Sequence, residues 1–252
     1  NPPAGSVHPA AAALIAARRR GVTVPAVDPG DAASAYRVQR EVDAALFDRD
    51  GAPRAWKSGG ASREAPRTHA PLPPGGVRAS PADLRDLRVS LRRIEAEVAL
   101  RLARDVDAAT AAGIGAGDAA AIVDAMAAAI ELVDSRWAEG LDAPPFARLA
   151  DLQSHGALVL GEWVPFAPRD WSAQRCVVRI GEAPAPERIG AHPLGDPAQV
   201  LGPWLRHATA DGATVRAGTI VTTGSWCGMP AARAGDRVEV AFDGIGAALL
   251  GL

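Results

Sequence analysis

Two glutamates one residue apart, Glu95 and Glu97, lie in the stretch Leu91-Arg92-Arg93-Ile94-Glu95-Ala96-Glu97-Val98-Ala99-Leu100. Part of it alternates polar and apolar residues, and strand side chains repeat every two residues, so both carboxylates should share one face. Paired carboxylates repel. They are tolerable where water screens them, where one holds a proton, or where a cation sits between them. The apolar flanks Ile94, Val98 and Leu100 argue against full solvation. A hard divalent ion such as Mg²⁺ takes oxygen ligands and suits the arrangement. A third acid, Glu131, lies in the apolar run Ala129-Ile130-Glu131-Leu132-Val133, where a lone buried glutamate needs a partner. Glu95, Glu97 and Glu131 together would make a three-carboxylate site with positions open to water and a small molecule. Lys57 is the only lysine in the chain. Lysine can lose its proton when desolvated and arginine effectively cannot, although a GC-rich gene would leave a single lysine by chance. Asp134 and Arg136 read as a charge pair that orients the end of a strand.

The elements that must position these groups follow from periodicity and punctuation. His8 to Arg20 reads as a helix stopped by Gly21, with Arg18-Arg19-Arg20 favouring its C-terminus. Asp31 to Asp48 reads as a second helix, its apolar stripe supplied by Tyr36, Val38, Val42, Ala45 and Leu46. Asp50-Gly51 signals a turn. Arg54 to Lys57 predicts a short strand. Gly59 to Gly76, rich in Gly, Pro, Ser and charge, predicts a mobile loop, either an active-site lid or a plain surface excursion. Strands are predicted within Leu87 to Arg104 and at Ile130–Val133, Ala157–Leu160, Cys176–Ile180, Thr219–Thr223 and Arg237–Phe242. Helices are predicted at Gly117–Ala129 and Leu201–Ala210. Helices lead and strands dominate the second half, which predicts an α+β fold with a mixed, largely antiparallel sheet. The chain divides into an N-terminal helical region with the lid-like loop (1–80) and a β-rich catalytic domain (81–252). Gly113-Ile114-Gly115-Ala116-Gly117 lacks a preceding strand and a full phosphate-binding signature, and reads as a helix-entry loop.

Hydrophobic residues make up 48% of the 252, enough for a substantial core. The net charge of −2 calls for neither nucleic acid nor a membrane surface. Two cysteines, Cys176 and Cys227, make neither a disulfide framework nor a zinc site. No apolar run approaches the ~20 residues of a membrane span. These features predict a soluble, cytoplasmic protein.

The order of several segments carries a resemblance. Ala35-Tyr36-Arg37-Val38-Gln39, Trp56-Lys57-Ser58-Gly59-Gly60-Ala61-Ser62, Ile94-Glu95-Ala96-Glu97-Val98-Ala99 and Ala129-Ile130-Glu131-Leu132-Val133-Asp134-Ser135-Arg136 follow one another. Gly190-Ala191-His192-Pro193-Leu194, Trp204-Leu205, Arg216-Ala217-Gly218-Thr219-Ile220-Val221, Thr223-Gly224-Ser225 and Ala234-Gly235-Asp236 come after them. Together they resemble the fumarylacetoacetate hydrolase superfamily, most closely its 2-keto-4-pentenoate hydratase and 4-oxalocrotonate decarboxylase branch. The resemblance implies a β-roll or barrel of that superfamily's type, Mg²⁺ or Mn²⁺ on Glu95, Glu97 and Glu131, and a small 2-oxo acid substrate. It implies catalytic roles for Lys57 and Ser154, and substrate contacts from Ser62, Leu72, Gly224 and Ser225. It also implies a homo-oligomer, dimer or larger. The implied reaction is hydration of a 2-hydroxy-2,4-dienoate to a 4-hydroxy-2-oxo acid through an enolate. Decarboxylation of a 4-oxalocrotonate, C–C hydrolysis of an acylpyruvate, and isomerisation or cyclisation are the alternatives.

The chain departs from the branch at Asp151-Leu152-Gln153-Ser154-His155-Gly156, where Asp-Asn-Ala-Ser-Ser-Gly is usual. His155 there is either a new general acid or base or a histidine packed at a strand end. Pro71-Leu72-Pro73-Pro74-Gly75-Gly76 has no acid where the branch tends to carry one. Glu64 and His69 could form a water-activating pair in the C–C hydrolase reading, or be two solvated loop residues. Trp226 and Cys227 either line a pocket or belong to the core.

Overall fold

The computed structural model describes residues 7–47 and 51–252, so the expected helix end at Asp48 and the Asp50 half of the turn lie outside the described residues. Two helices come first, α1 (Pro9–Arg20) and α2 (Ala32–Leu46). Pro9 stands at the first turn of α1, where its missing N–H is no loss, and the His8 ring accepts from the Ala10 N–H. Gly21 ends the helix at φ 63°, a conformation glycine adopts at little cost. Asp31 caps α2 by accepting from the Ser34 N–H.

The strands are β1 (Ala55–Gly59), β2 (Thr68–Pro71), β3 (Val77–Ala79), β4 (Ala82–Asp83), β5 (Arg93–Leu102), β6 (Val123–Val133) and β7 (His155–Leu160). They continue as β8 (Val164–Pro165), β9 (Arg175–Ile180), β10 (Glu187–Ile189), β11 (Ile220–Thr222), β12 (Arg237–Phe242) and β13 (Gly246–Gly251). Between them lie α3 (Ala108–Gly113), α4 (Ala119–Ile122), α5 (Pro145–Ala150) and α6 (Leu201–Ala208). An eight-stranded sheet runs β2-β1-β11-β5-β6-β7-β3, with β8 also on β6, and a five-stranded sheet runs β10-β9-β12-β13-β4. Pairing is antiparallel except for β1–β11, β3–β7 and β13–β4. The fold is thus α+β with mixed, largely antiparallel sheets. Among the described residues no helix is long and apolar enough to cross a membrane.

One face of the large sheet, with Ile94, Ala96, Val98, Leu100, Ile130 and Leu132, joins Val178, Val238, Val240 and Leu250 of the small sheet in the main core. The other face carries a smaller cluster around Ala55, Leu72, Ala99, Ala129 and Leu158. A third cluster ties α1 and α2 to later chain through Leu14, Val38, Val42, Trp137, Ala147 and Leu149. Trp137 fixes that junction by donating from Nε1 to the Ala147 carbonyl at 2.7 Å. Packing therefore crosses residue 80 in both directions, since β1, β2 and β3 lie in the large sheet.

Two expectations are corrected. The alanine-rich stretch 117–129 is α-helical only at Ala119–Ile122, after a 3-10 turn at Ala116–Asp118, and from Val123 it is β6. Alanine favours helix, but this segment is almost wholly buried and hydrogen-bonded between β5 and β7, and tertiary context overrides propensity. The expected loop 59–76 contains β2, which pairs with β1 in the register Lys57↔Ala70 and Ser58↔His69. Pro71 misled the reading; it is tolerated because β2 is an edge strand.

The sheets approach closely at Gly161, where an added Cβ would lie 2.3 Å from the Ala247 carbonyl oxygen and 3.1 Å from that of Ala128. Backbone cannot yield as a flexible side chain can. Gly161→Ala is expected to lower stability by about 1–3 kcal/mol in urea unfolding. Gly113→Ala, whose Cβ would meet nothing within 4 Å, should stay within about 0.5 kcal/mol of wild type.

Candidate active site and metal centre

Register brings the acids together. β5 and β6 pair so that Glu95 stands directly opposite Glu131. Like charges so placed destabilise a sheet unless something compensates them. Glu97 follows Glu95 on the same face, and Gly224, just past β11, donates its N–H to Glu97 Oε2 at 2.7 Å. β11 separates β5 from β1, whose Lys57 lies opposite Thr222. Lys57 Nζ reaches across to Glu131 Oε1 at 2.6 Å, with Glu95 Oε2 at 3.8 Å. One oxygen of each glutamate lies within 4.8 Å of the others.

These groups are largely out of water: Glu131 is 0% and Glu97 2% exposed. Burial first, and then the neighbouring carboxylates, push Glu95 and Glu97 above the usual carboxylate range, while Lys57 opposes the rise. Burial alone would pull Lys57 down, but Glu131, Glu95 and Glu97 together hold it above its ordinary value. Lys57 is therefore a charged donor here, not the deprotonated amine that a desolvated lysine can become.

The donor set fits a hard divalent cation. It is all oxygen, and with all three carboxyls ionised one lysine balances only one of them. Glu131 Oε2 is buried without a hydrogen-bond partner, which is costly unless a cation takes it. Glu95, Glu97 and Glu131 would hold the ion.

Behind the acids, a buried ionic network holds the segment that follows α5. Asp151 accepts from Arg136 Nε at 2.8 Å, from the Arg136 N–H at 2.9 Å and from Arg18 at 3.1 Å. Arg136 also pairs with Asp134 at 3.6 Å, and Asp134 accepts from the Ser90 and Leu91 N–H groups. Burial, then the charge of Arg136, lowers Arg18 to about 10. After Asp151 come three left-handed residues, Leu152, Gln153 and Ser154, at φ 52°, 54° and 57°. None is glycine, and such residues cost of order 1–3 kcal/mol each. The turn aims the Gln153 carbonyl at Lys57 Nζ, which donates to it at 3.2 Å.

A cavity of about 860 Å³ opens onto this face. Lys57, Glu95, Glu97, Ser154, Gly224 and Ser225 line it. The other expected residues lie elsewhere. Ser62 hydrogen-bonds Glu64 on an exposed turn, and Leu72 is buried in the small cluster under the sheet. His155 is 1% exposed and sits behind Glu131, Nδ1 to Oε1 at 3.0 Å. Burial and the charges of Lys57 and Arg136 lower its pKa well below the ordinary value. The ring is neutral, and its Nδ1–H donates to Glu131. This corrects the general acid or base reading: His155 positions a carboxylate and does not face the cavity. Glu64 and His69 do not pair. Glu64 is at the surface, whereas His69 is buried against Ser58 at 2.9 Å and lowered to about 3 by burial, His207 and Arg67. Trp226 belongs to the main core, and Cys227 lines a separate cavity of about 650 Å³. The Gln153 carbonyl and the cavity-lining Arg148 had no sequence signal, because both depend on how α5 is placed.

Residues 39–249 match the family model described as Fumarylacetoacetate (FAA) hydrolase C-terminal. The 2-hydroxyhexa-2,4-dienoate hydratase of Comamonas testosteroni is 29% identical over 159 residues, covering 61% of this chain and 57% of that protein. The 2-keto-4-pentenoate hydratase of Paraburkholderia xenovorans (strain LB400) is 31% identical over 157 residues, covering 61% and 56%. The match thus spans a little over half the length of these curated relatives. The 4-oxalocrotonate decarboxylase from Pseudomonas putida G7, solved with magnesium and adipate, shares the fold: TM-score 0.80, 19% identity, 96% of each chain.

Mg²⁺ at roughly 100 times its dissociation constant should stabilise the protein by about 2.7 kcal/mol, read as a rise in melting temperature. Glu131→Gln should abolish the rise. His155→Ala, which removes the group orienting Glu131, should weaken Mg²⁺ binding by about 10- to 100-fold in calorimetric titration.

Proposed function

The chain belongs to the fumarylacetoacetate (FAA) hydrolase family, and on that premise we propose that it is a divalent-cation-dependent lyase that hydrates a 2-hydroxy-2,4-dienoate to a 4-hydroxy-2-oxo acid. The observation that carries this reading is the convergence of Glu95, Glu97 and Lys57 on one cavity wall, with the buried Glu131 beside them within ligand distance. The names of the two hydratases similar to this chain support the substrate class. A bound Mg²⁺ or Mn²⁺ would supply Lewis-acid polarisation of the substrate's 2-oxygen.

The chain's own residues supply the rest. Lys57 Nζ, held charged by the carboxylates, is a donor for the negative charge that the 2-oxygen carries as the dienol ketonises. Its bonds to Glu131 and the Gln153 carbonyl fix where that donor points. Gly224 orients Glu97, and His155 orients Glu131. Ser154 and Ser225 place hydroxyl-bearing residues on the cavity wall, where an added water needs partners. Acylpyruvate hydrolysis is less well served, because Glu64 and His69 are apart and His69 is neutral and buried. The whole protein is proposed to act as a homo-oligomer.

Product analysis by NMR in ²H₂O with Mg²⁺ tests the reading. 2-Hydroxypenta-2,4-dienoate should yield a 4-hydroxy-2-oxo acid, with turnover lost on chelation and in Glu97→Gln. Lys57→Met should lower kcat by roughly 10²- to 10⁴-fold. Release of CO₂ from 4-oxalocrotonate without hydration of either compound would assign the chain to decarboxylation instead.

A further inference from the structure

Besides Lys57, two arginines line the cavity, Arg67 and Arg148. Arg148 is on α5, and Arg148, Pro145, Phe146 and Leu149 all line the cavity. Arg148 Nε is buried without a hydrogen-bond partner, and among the described residues the guanidinium makes no ion pair or hydrogen bond. A guanidinium offers five donors in a planar fork that suits a carboxylate. Leaving the buried Nε–H unpaired is unfavourable unless a ligand supplies the acceptor. Arg67, also on the wall, differs: its terminal nitrogens already serve the Ser62, Ala65 and Arg63 carbonyls of its own turn.

We propose that Arg148 binds a second carboxylate, at the end of the substrate away from the 2-oxygen, so that the preferred substrate class is a 2-oxo or 2-hydroxy-dienoic diacid. This rests on the reading that the 2-oxo acid end is held at Glu95, Glu97 and Glu131. Val133, Leu149 and Phe146 also line the cavity and offer apolar wall to a hydrocarbon chain. The pairing also bears on the reaction. A carboxylate loses its charge as CO₂ leaves, so an ion pair stronger in the ground state than in the transition state opposes decarboxylation. The distal carboxylate is therefore retained through hydration.

The test compares two ligands of equal length, 2-oxohexanedioate and 2-oxohexanoate, by calorimetric titration of the full chain in saturating Mg²⁺. Wild type should bind the diacid about 10- to 100-fold more tightly. In Arg148→Met that preference should fall to about one, through loss of diacid affinity. Arg148→Lys, which keeps the charge but not the fork, should restore part of it. Equal binding of the two ligands by wild type would overturn the inference and leave the metal-site reading standing. So would an equal loss of both in Arg148→Met, which would mark a structural role. Binding of neither ligand, in protein shown to bind Mg²⁺, would overturn both the 2-oxo acid reading and the inference resting on it.

Discussion

Three carboxylates share one largely buried face of a sheet, and much of the surrounding structure answers that electrostatic problem. Glu95 opposes Glu131 directly, Glu97 is the next residue on the same face, and Glu97 and Glu131 are buried away from bulk water. Positive charge must come to them. Lys57 supplies one unit across β11; the Gly224 N–H and the His155 ring supply hydrogen bonds. What remains, two carboxyls whose ionisation is disfavoured and an orphaned oxygen on Glu131, is the demand that a divalent cation meets.

The helical layer serves the same end from a distance. Arg18 at the end of α1 and Arg136 after β6 both grip Asp151, the residue before the left-handed turn. That turn is intrinsically unfavourable and exists because its ends are held: Asp151 by two arginines, and Ser154 by bonds to Asp151 and Asp134. Its product is a carbonyl aimed at Lys57 Nζ. The basic run Arg18-Arg19-Arg20 looked from the sequence like simple helix-end charge. Arg18 proves to be the link between the helical cluster and the floor of the site.

What the sequence made legible was whatever short-range patterning encodes. Alternation around Glu95 and Glu97 placed both on one face of β5, and Gly21 ended α1 as expected. Glu131 stood out because an acid within an apolar run demands a partner. The errors arose where long-range packing decides. Alanines at 125 and 127–129 read as helix, yet they lie in a central strand of the large sheet, where small side chains suit burial on both faces. Pro71 hid an edge strand. Of the two readings of His155, the histidine packed at a strand end fits its burial at the start of β7, and that burial, visible only in three dimensions, lowers a pKa whose ordinary value near neutrality had suggested a general acid or base. Arg148 carried no pattern at all; its meaning comes from the cavity it faces.

The central claim is that Glu95, Glu97 and Glu131 are the joint ligands of one divalent cation. Anomalous diffraction at the manganese edge from crystals grown in Mn²⁺ tests it most directly. A single strong peak within bonding distance of one oxygen of each of the three glutamates, Glu131 Oε2 included, is the predicted result. A peak elsewhere, or none between these carboxylates at saturating Mn²⁺, would contradict the account and leave Lys57 as the sole counter-charge of a site that does not bind metal.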